Sequence, residues 1–88
     1  MDSRKLRIFY TVAKHASFTQ AAHQLQMAQP AVSIAVKKLE QELDLQLFQR
    51  QDKQVSLTSE GRVLLGHAER VLEAMDQAQL EMDEQGAA

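Results

Sequence analysis

The chain has 88 residues, a quarter of them charged, a net charge of −2 and no cysteine. That length allows one domain at most, with so modest a buried fraction that a partner subunit would help its stability. Without cysteine, a disulfide scaffold and thiolate metal sites are excluded and a reducing cytosol fits. No apolar run approaches the roughly 20 residues of a membrane span, and the opening MDSRKLRIFY is no signal peptide, so no membrane partner is expected.

The negative net charge speaks against a nucleic-acid partner until its distribution is considered. Residues 1–62 hold nine Lys/Arg against six Asp/Glu, a balance of +3, whereas residues 63–88 hold Arg70 against six acids, a balance of −5. Such asymmetry suggests separate tasks for the two segments, although an acidic stretch is also what a solvated helix face looks like.

Residues 3–15 read as a helix, with Leu6, Phe9, Val12 and Ala13 recurring at spacings of three and four. Ala16-Ser17 breaks it. Ser17 followed by Gln20 has the form of a capping box, which starts a second helix at Phe18. Its apolar face is Phe18, Ala21, Ala22 and Leu25, and the paired alanines let another helix approach closely. A turn over Gln26-Met27-Ala28 follows. Pro30 then fits a helix's first turn, where its missing N–H would be unpaired anyway. Ala28 is a poor N-cap. Val32, Val36, Leu39 and Leu43 form the core face of this third helix and leave Gln29, Ser33, Ile34, Lys37 and Lys38 away from the core or beside it.

The period changes at QLFQRQDKQVSL. Leu47 and Phe48 lead to Arg50, a polar tip at residues 51–54, then Val55 and Leu57 about Ser56, which reads as a small hairpin. No Asn-Gly or Asp-Gly marks the turn, so the register stays open. Thr58 is a good N-cap, with Glu60 favoured by the helix dipole in the first turn and Gly61 suited to a close backbone approach. In the long helix that follows, Leu64, Ala68, Val71, Met75, Ala78 and Met82 step by 4, 3, 4, 3 and 4, and Leu65 and Leu72 widen the stripe. This heptad seam is expected to find no partner within so small a domain and to pair with a second copy of the chain.

Helix, helix-turn-helix, hairpin and long helix in that order predict a mainly α, winged helix-turn-helix fold: three helices plus a two-stranded wing in residues 1–58, then a linker and dimerisation helix in 59–88. In this arrangement the second helix of the pair enters the major groove.

The run SFTQAAHQLQMAQPAVSIAVKKLEQELDLQLFQR followed by VSLTSEG resembles the N-terminal DNA-binding domain of LysR-type transcriptional regulators over about residues 3–66. Ser-Phe-Thr-x-Ala-Ala, Gln-Pro-Ala-Val-Ser, Leu-Glu-x-Glu-Leu, Leu-Phe-x-Arg and Leu-Thr-x-x-Gly are weak singly and specific together. The resemblance implies homodimers on inverted half-sites of double-stranded DNA, formed through the long C-terminal helix, and a bacterial cytoplasmic, nucleoid-associated location. It also implies a ligand-sensing domain after that helix. That domain is expected to be absent, leaving a DNA-binding fragment or a shortened relative with no small-molecule ligand of its own.

Carried over by position, Gln29, Pro30 and Ser33 match the groove-facing start of the recognition helix, Thr19 a hydroxyl near the phosphate backbone and Arg50 the wing-base arginine. Ile34 departs from the arginine that many relatives have there; it can contact only a thymine methyl or the sugar edge. Ile34 is placed with the base readers nonetheless. Lys37 suits a phosphate or a guanine edge, Lys38 a flanking phosphate, and Lys53 at the wing tip either the backbone or plain solvent. His15, His23 and His67 lie on three helices without metal-pair spacing, so no metal is expected. No cofactor is expected either. No nucleophile motif or phosphate loop supports an enzyme. The rival reading is a protein-interaction module that titrates a full-length partner into inactive heterodimers, favoured mildly by Ile34.

Overall fold

The computed structural model describes residues 1–51 and 54–87. Its elements are α1 (Ser3–His15), α2 (Phe18–Leu25), α3 (Gln29–Leu43), β1 (Phe48–Gln51), β2 (Gln54–Leu57) and α4 (Ser59–Ala87). Local chemistry sets these boundaries. The Asp2 carboxylate accepts from the Lys5 N–H at 2.8 Å, and the Ser17 hydroxyl accepts from the Gln20 N–H at 3.1 Å, each satisfying a donor that a helix start leaves free. Ala28 supplies no side-chain cap to α3, where Pro30 sits in the first turn.

The first three helices end on a residue in the left-handed region, and none of these is glycine: Ala16 (φ 51°), Gln26 (φ 56°) and Asp44 (φ 55°). After Gln26, the Met27 N–H donates to Ala22 O at 2.9 Å; after Asp44, the Leu45 N–H donates to Glu40 O at 3.1 Å. These bonds close helix ends whose carbonyls would otherwise lack partners.

Helices α1, α2 and α3 meet around Phe9, Val12, Val32, Leu39 and Leu47, all fully buried. Ala21 and Ala22 are buried at the α2 face, as expected of small residues where helices approach closely. Phe48, at the start of the wing, reaches back between Phe9 (ring centroids 5.4 Å apart) and Phe18 (5.7 Å, edge-on). The two strands are antiparallel, with Phe48 opposite Leu57 and Gln51 opposite Gln54. The register left open by the turn residues is thereby set by what Phe48 and Leu57 bury.

Thr58 fastens the end of the hairpin to the start of α4. Its hydroxyl accepts from the Gly61 N–H at 3.0 Å and donates to Gln46 O at 2.7 Å, while its N–H donates to Leu47 O at 3.0 Å. A Cβ on Gly61 would stand 2.2 Å from Leu47 O, so only glycine fits this approach.

The structure corrects the expectation that the seam of α4 has no partner within the chain. Ala68 (0% exposed) and Leu72 (4%) are buried in the monomer, and Leu64 and Leu65 are half-buried against the same core. The physical reason is position along the helix together with phase: burial ends at Leu72, so Leu64 is half-buried although it shares the phase of exposed Met82. At about 100° per residue, Leu65 and Leu72 lie to one side of Ala68, and Val71, Met75, Ala78 and Met82 lie to the other. The domain covers Ala68, Leu72 and part of Leu64 and Leu65; from Val71 onward the second side stays open, with Val71 45%, Met75 44% and Met82 62% exposed. Arg7 on α1 holds Asp76 on α4 at 3.0 Å. Among the described residues no helix is long and apolar enough to cross a membrane.

Candidate nucleic-acid interface

Helix α3 buries Val32, Val36 and Leu39 and leaves Gln29, Pro30, Ile34, Lys37 and Lys38 exposed, with Ser33 at the edge. The Gln29 side-chain amide donates to the Ser33 hydroxyl at 3.1 Å, one turn on. A glutamine amide has two N–H donors and a carbonyl acceptor. One donor is thus spent holding the side chain in place, while the other and the carbonyl remain for a ligand.

Among the described residues Lys37, Lys38 and Arg50 form no ion pair, whereas both acids of α3 are engaged elsewhere. Glu40 accepts from the Leu47 N–H at 2.7 Å and the Phe48 N–H at 3.3 Å, tying the start of the wing to α3. Glu42 pairs with Lys5 on α1. That hydrogen bond to Lys5 holds the Glu42 carboxyl below its ordinary pKa and raises that of the Lys5 ammonium. The acids of α3 therefore serve the scaffold, and its lysines stay free.

Arg50 comes to the same surface from β1. Its guanidinium lies 4.3 Å above the Phe18 ring, a cation–π contact that orients it without using its N–H donors. On one side, Arg50, Ser33, Lys37 and Gln41 line an open groove of about 810 Å³ between α3 and the wing. On the other, Arg50, Thr19 and Gln54 border a recess of about 290 Å³ at the start of α2. The structure so sets Ser33 and Lys37 beside Arg50, Thr19 on its other side and Gln29 on Ser33, and leaves Pro30, Ile34 and Lys38 exposed on α3. Lys53 lies outside the described residues. Leu64, Ala68 and Leu72 do not join Val71, Met75, Ala78 and Met82 on one open face.

Sequence reasoning missed Glu40 and the edge-on Phe18–Phe48 contact beneath Arg50. Glu40 sits in the Leu-Glu-x-Glu-Leu motif, but its role depends on amides that the following turn brings round. His15, His23 and His67 are all exposed and on separate helices, and no group of three possible metal ligands occurs among the described residues.

Residues 3–62 match the family model for bacterial regulatory helix-turn-helix proteins of the lysR family. The chain is 52% identical over 69 residues to the transcriptional regulator CfxR of Cupriavidus necator, covering 78% of this chain and 22% of that protein. It is 46% identical over 81 residues to the RuBisCO operon transcriptional regulator of Allochromatium vinosum, covering 92% and 26%. Among solved structures, the complex of BenM_DBD with catB site 1 DNA superposes with a TM-score of 0.90 at 38% identity, covering 100% of this chain and 97% of that one. Full-length CbnR complexed with its target DNA gives 0.85 at 29% identity, covering 94% and 29%. The fold is therefore a winged helix-turn-helix with a long C-terminal helix, and the chain belongs to the lysR family of bacterial regulatory proteins. It spans about a quarter of the length of the curated relatives it matches.

Proposed function

We propose that this chain binds double-stranded DNA sequence-specifically, as a homodimer on inverted half-sites, and supplies the DNA-binding part of a transcription regulator acting on bacterial DNA in the cytoplasm. It works by binding and not by catalysis. One observation carries the reading: α3 presents Gln29, Ser33, Ile34, Lys37 and Lys38 on one side, flanked by Arg50, while its own acids are held by the wing amides and by Lys5. Such a surface offers base-edge contacts at the helix start and cations for phosphates around it. The fit to domains solved on DNA supports the same orientation.

In this reading Gln29, Pro30, Ser33 and Ile34 meet base edges, Thr19, Arg50, Lys37 and Lys38 meet the backbone, and the open arc Val71, Met75, Ala78 and Met82 pairs two copies. Retardation of labelled duplexes selected from a random pool tests it. Selected sites should show two inverted half-sites, and affinity should fall steeply between low and moderate salt despite the net charge of −2. Equal binding to selected and unselected duplexes, or binding indifferent to salt, would sink the proposal and favour a protein-interaction module.

A further inference from the structure

The first two turns of α3 expose two kinds of surface. One edge is polar, made by the hydrogen-bonded pair Gln29 and Ser33. Beside it, Pro30, Ala31 and Ile34 are exposed together, at spacings of three and four that make them neighbours on a helix. Ile34 keeps 54% of its surface open, on the side away from buried Val32, Val36 and Leu39. Lys37 and Lys38 follow one turn further on, without ion-pair partners among the described residues. An apolar island is thus set between a hydrogen-bonding edge and two cations.

The cations point to a polyanion, and the island requires that polyanion to offer an apolar group. In the major groove of duplex DNA that group is the thymine C5-methyl. Purine edges and the cytosine amine present acceptors or donors there. Against Ile34 these would lose water without gaining a hydrogen bond, which is costly.

We infer that Ile34, backed by Pro30 and Ala31, is a specificity-determining residue that selects thymine through its methyl group. The inference deepens the proposed DNA reading and rests on it. Selection has two parts: apolar contact rewards the methyl, and the absence of any donor or acceptor at this point penalises the other base edges. Burying one methyl-sized apolar group is worth about fourfold in affinity per half-site.

The test uses the full chain and its preferred site from a random duplex pool. Each thymine of a half-site is replaced in turn by deoxyuridine, which lacks the methyl but pairs identically. At one thymine, or two adjacent ones, the unchanged chain should lose about fourfold in affinity, and elsewhere nothing. An Ile34→Ala chain, folded as judged by circular dichroism because Ile34 is exposed, should bind the thymine and uracil duplexes equally at that position. It should keep the preferences set by Gln29. Uracil tolerated everywhere by the unchanged chain, with sequence preference retained, would overturn this inference and leave the DNA reading standing. Methyl sensitivity that survives Ile34→Ala would overturn it too, by assigning the methyl to another residue. A pool that yields no preferred sequence would instead remove the DNA reading, and this inference with it.

Discussion

Helices α3 and α4 are each covered along one side and open along another, and their open sides differ in material. The open side of α3 has Gln29, Ser33, Lys37 and Lys38 about the single large apolar residue Ile34, and its two acids are bonded to the wing and to α1. That of α4 has Val71, Met75 and Met82 among acids, with Arg70 its last basic residue. A surface of free cations and hydrogen-bonding groups loses little by meeting a hydrated polyanion. A stripe of exposed aliphatic side chains gains most by meeting another such stripe. One small domain can therefore hold two contact surfaces without either competing for the other's partner.

The sharpest way to break this comparison uses two adjacent residues of α4. Leu72→Ala removes a side chain buried in the monomer and should cost about 2–5 kcal/mol of folding stability. Val71→Asp, one position away, should leave the fold intact and weaken self-association roughly tenfold or more, because an unpaired carboxylate would be buried between helices. Urea unfolding reads the first and sedimentation the second. If Val71→Asp unfolds the chain as Leu72→Ala does, the open arc is not open. If the unchanged chain sediments as a monomer at tens of micromolar, the stripe has another use.

Glu40→Ala tests whether the acids of α3 serve the scaffold. It leaves two amide N–H groups at the base of the wing without their acceptor and should cost about 1–3 kcal/mol by chemical denaturation. Glu40→Gln keeps one acceptor oxygen and should cost less. Equal stability of both variants would mean that the carboxylate only repels DNA from the groove.

On the open side of α3, Gln29→Ala and Lys37→Ala should fail differently. The first should lose about 1–3 kcal/mol of affinity and flatten the preference at one base pair. The second should weaken specific and unrelated duplexes alike and lower the salt slope by about one. Both follow from binding to the selected site, its single-base variants and an unrelated duplex at two salt levels. Full discrimination retained by Gln29→Ala would reduce that glutamine to starting the helix.

The smallest effect is that of pH on the α1–α3 contact. Hydrogen bonds to the Lys5 backbone N–H and to the Lys5 ammonium lower the pKa of Asp2 and Glu42 respectively from the ordinary values of 3.8 and 4.5. A carboxyl with a depressed folded pKa contributes stability above its unfolded value, and that contribution fades as pH falls through the folded value. The unfolding midpoint should hence stay flat near neutrality and decline below about pH 4, more weakly in Glu42→Gln. The pair is exposed, so solvent screening keeps the change small. An identical acid limb in both proteins would show that the contact contributes nothing.

Much of this architecture was legible because its boundaries are written in local chemistry. Ser17 and Thr58 cap the helices they were expected to start, and Gly61 stands where a Cβ would collide with Leu47 O. The hairpin register was not legible: its turn residues specify no turn type, and the pairing depends on where Phe48 and Leu57 bury their side chains. Glu40 was passed over because an acid followed by another acid two residues on looks solvated until the wing amides are folded onto it. The seam of α4 was misread for a related reason. A heptad pattern counts apolar positions, and it does not say which neighbour will cover them.

The sequence by itself determined the order and limits of the helices, the apolar faces of α1 to α3 and the choice of residues that face outward at the start of α3. These follow from caps, periodicity and side-chain type within a few residues of one another. Only the tertiary structure decided how α4 divides its apolar residues between its own domain and an open arc. It alone also decided that Arg50 rests on Phe18 beside Thr19 and Lys37, and that the acids of α3 are held by the scaffold while its lysines form no ion pair among the described residues. Such contacts join residues distant in the chain, and their energies depend on distances and burial that no local pattern contains.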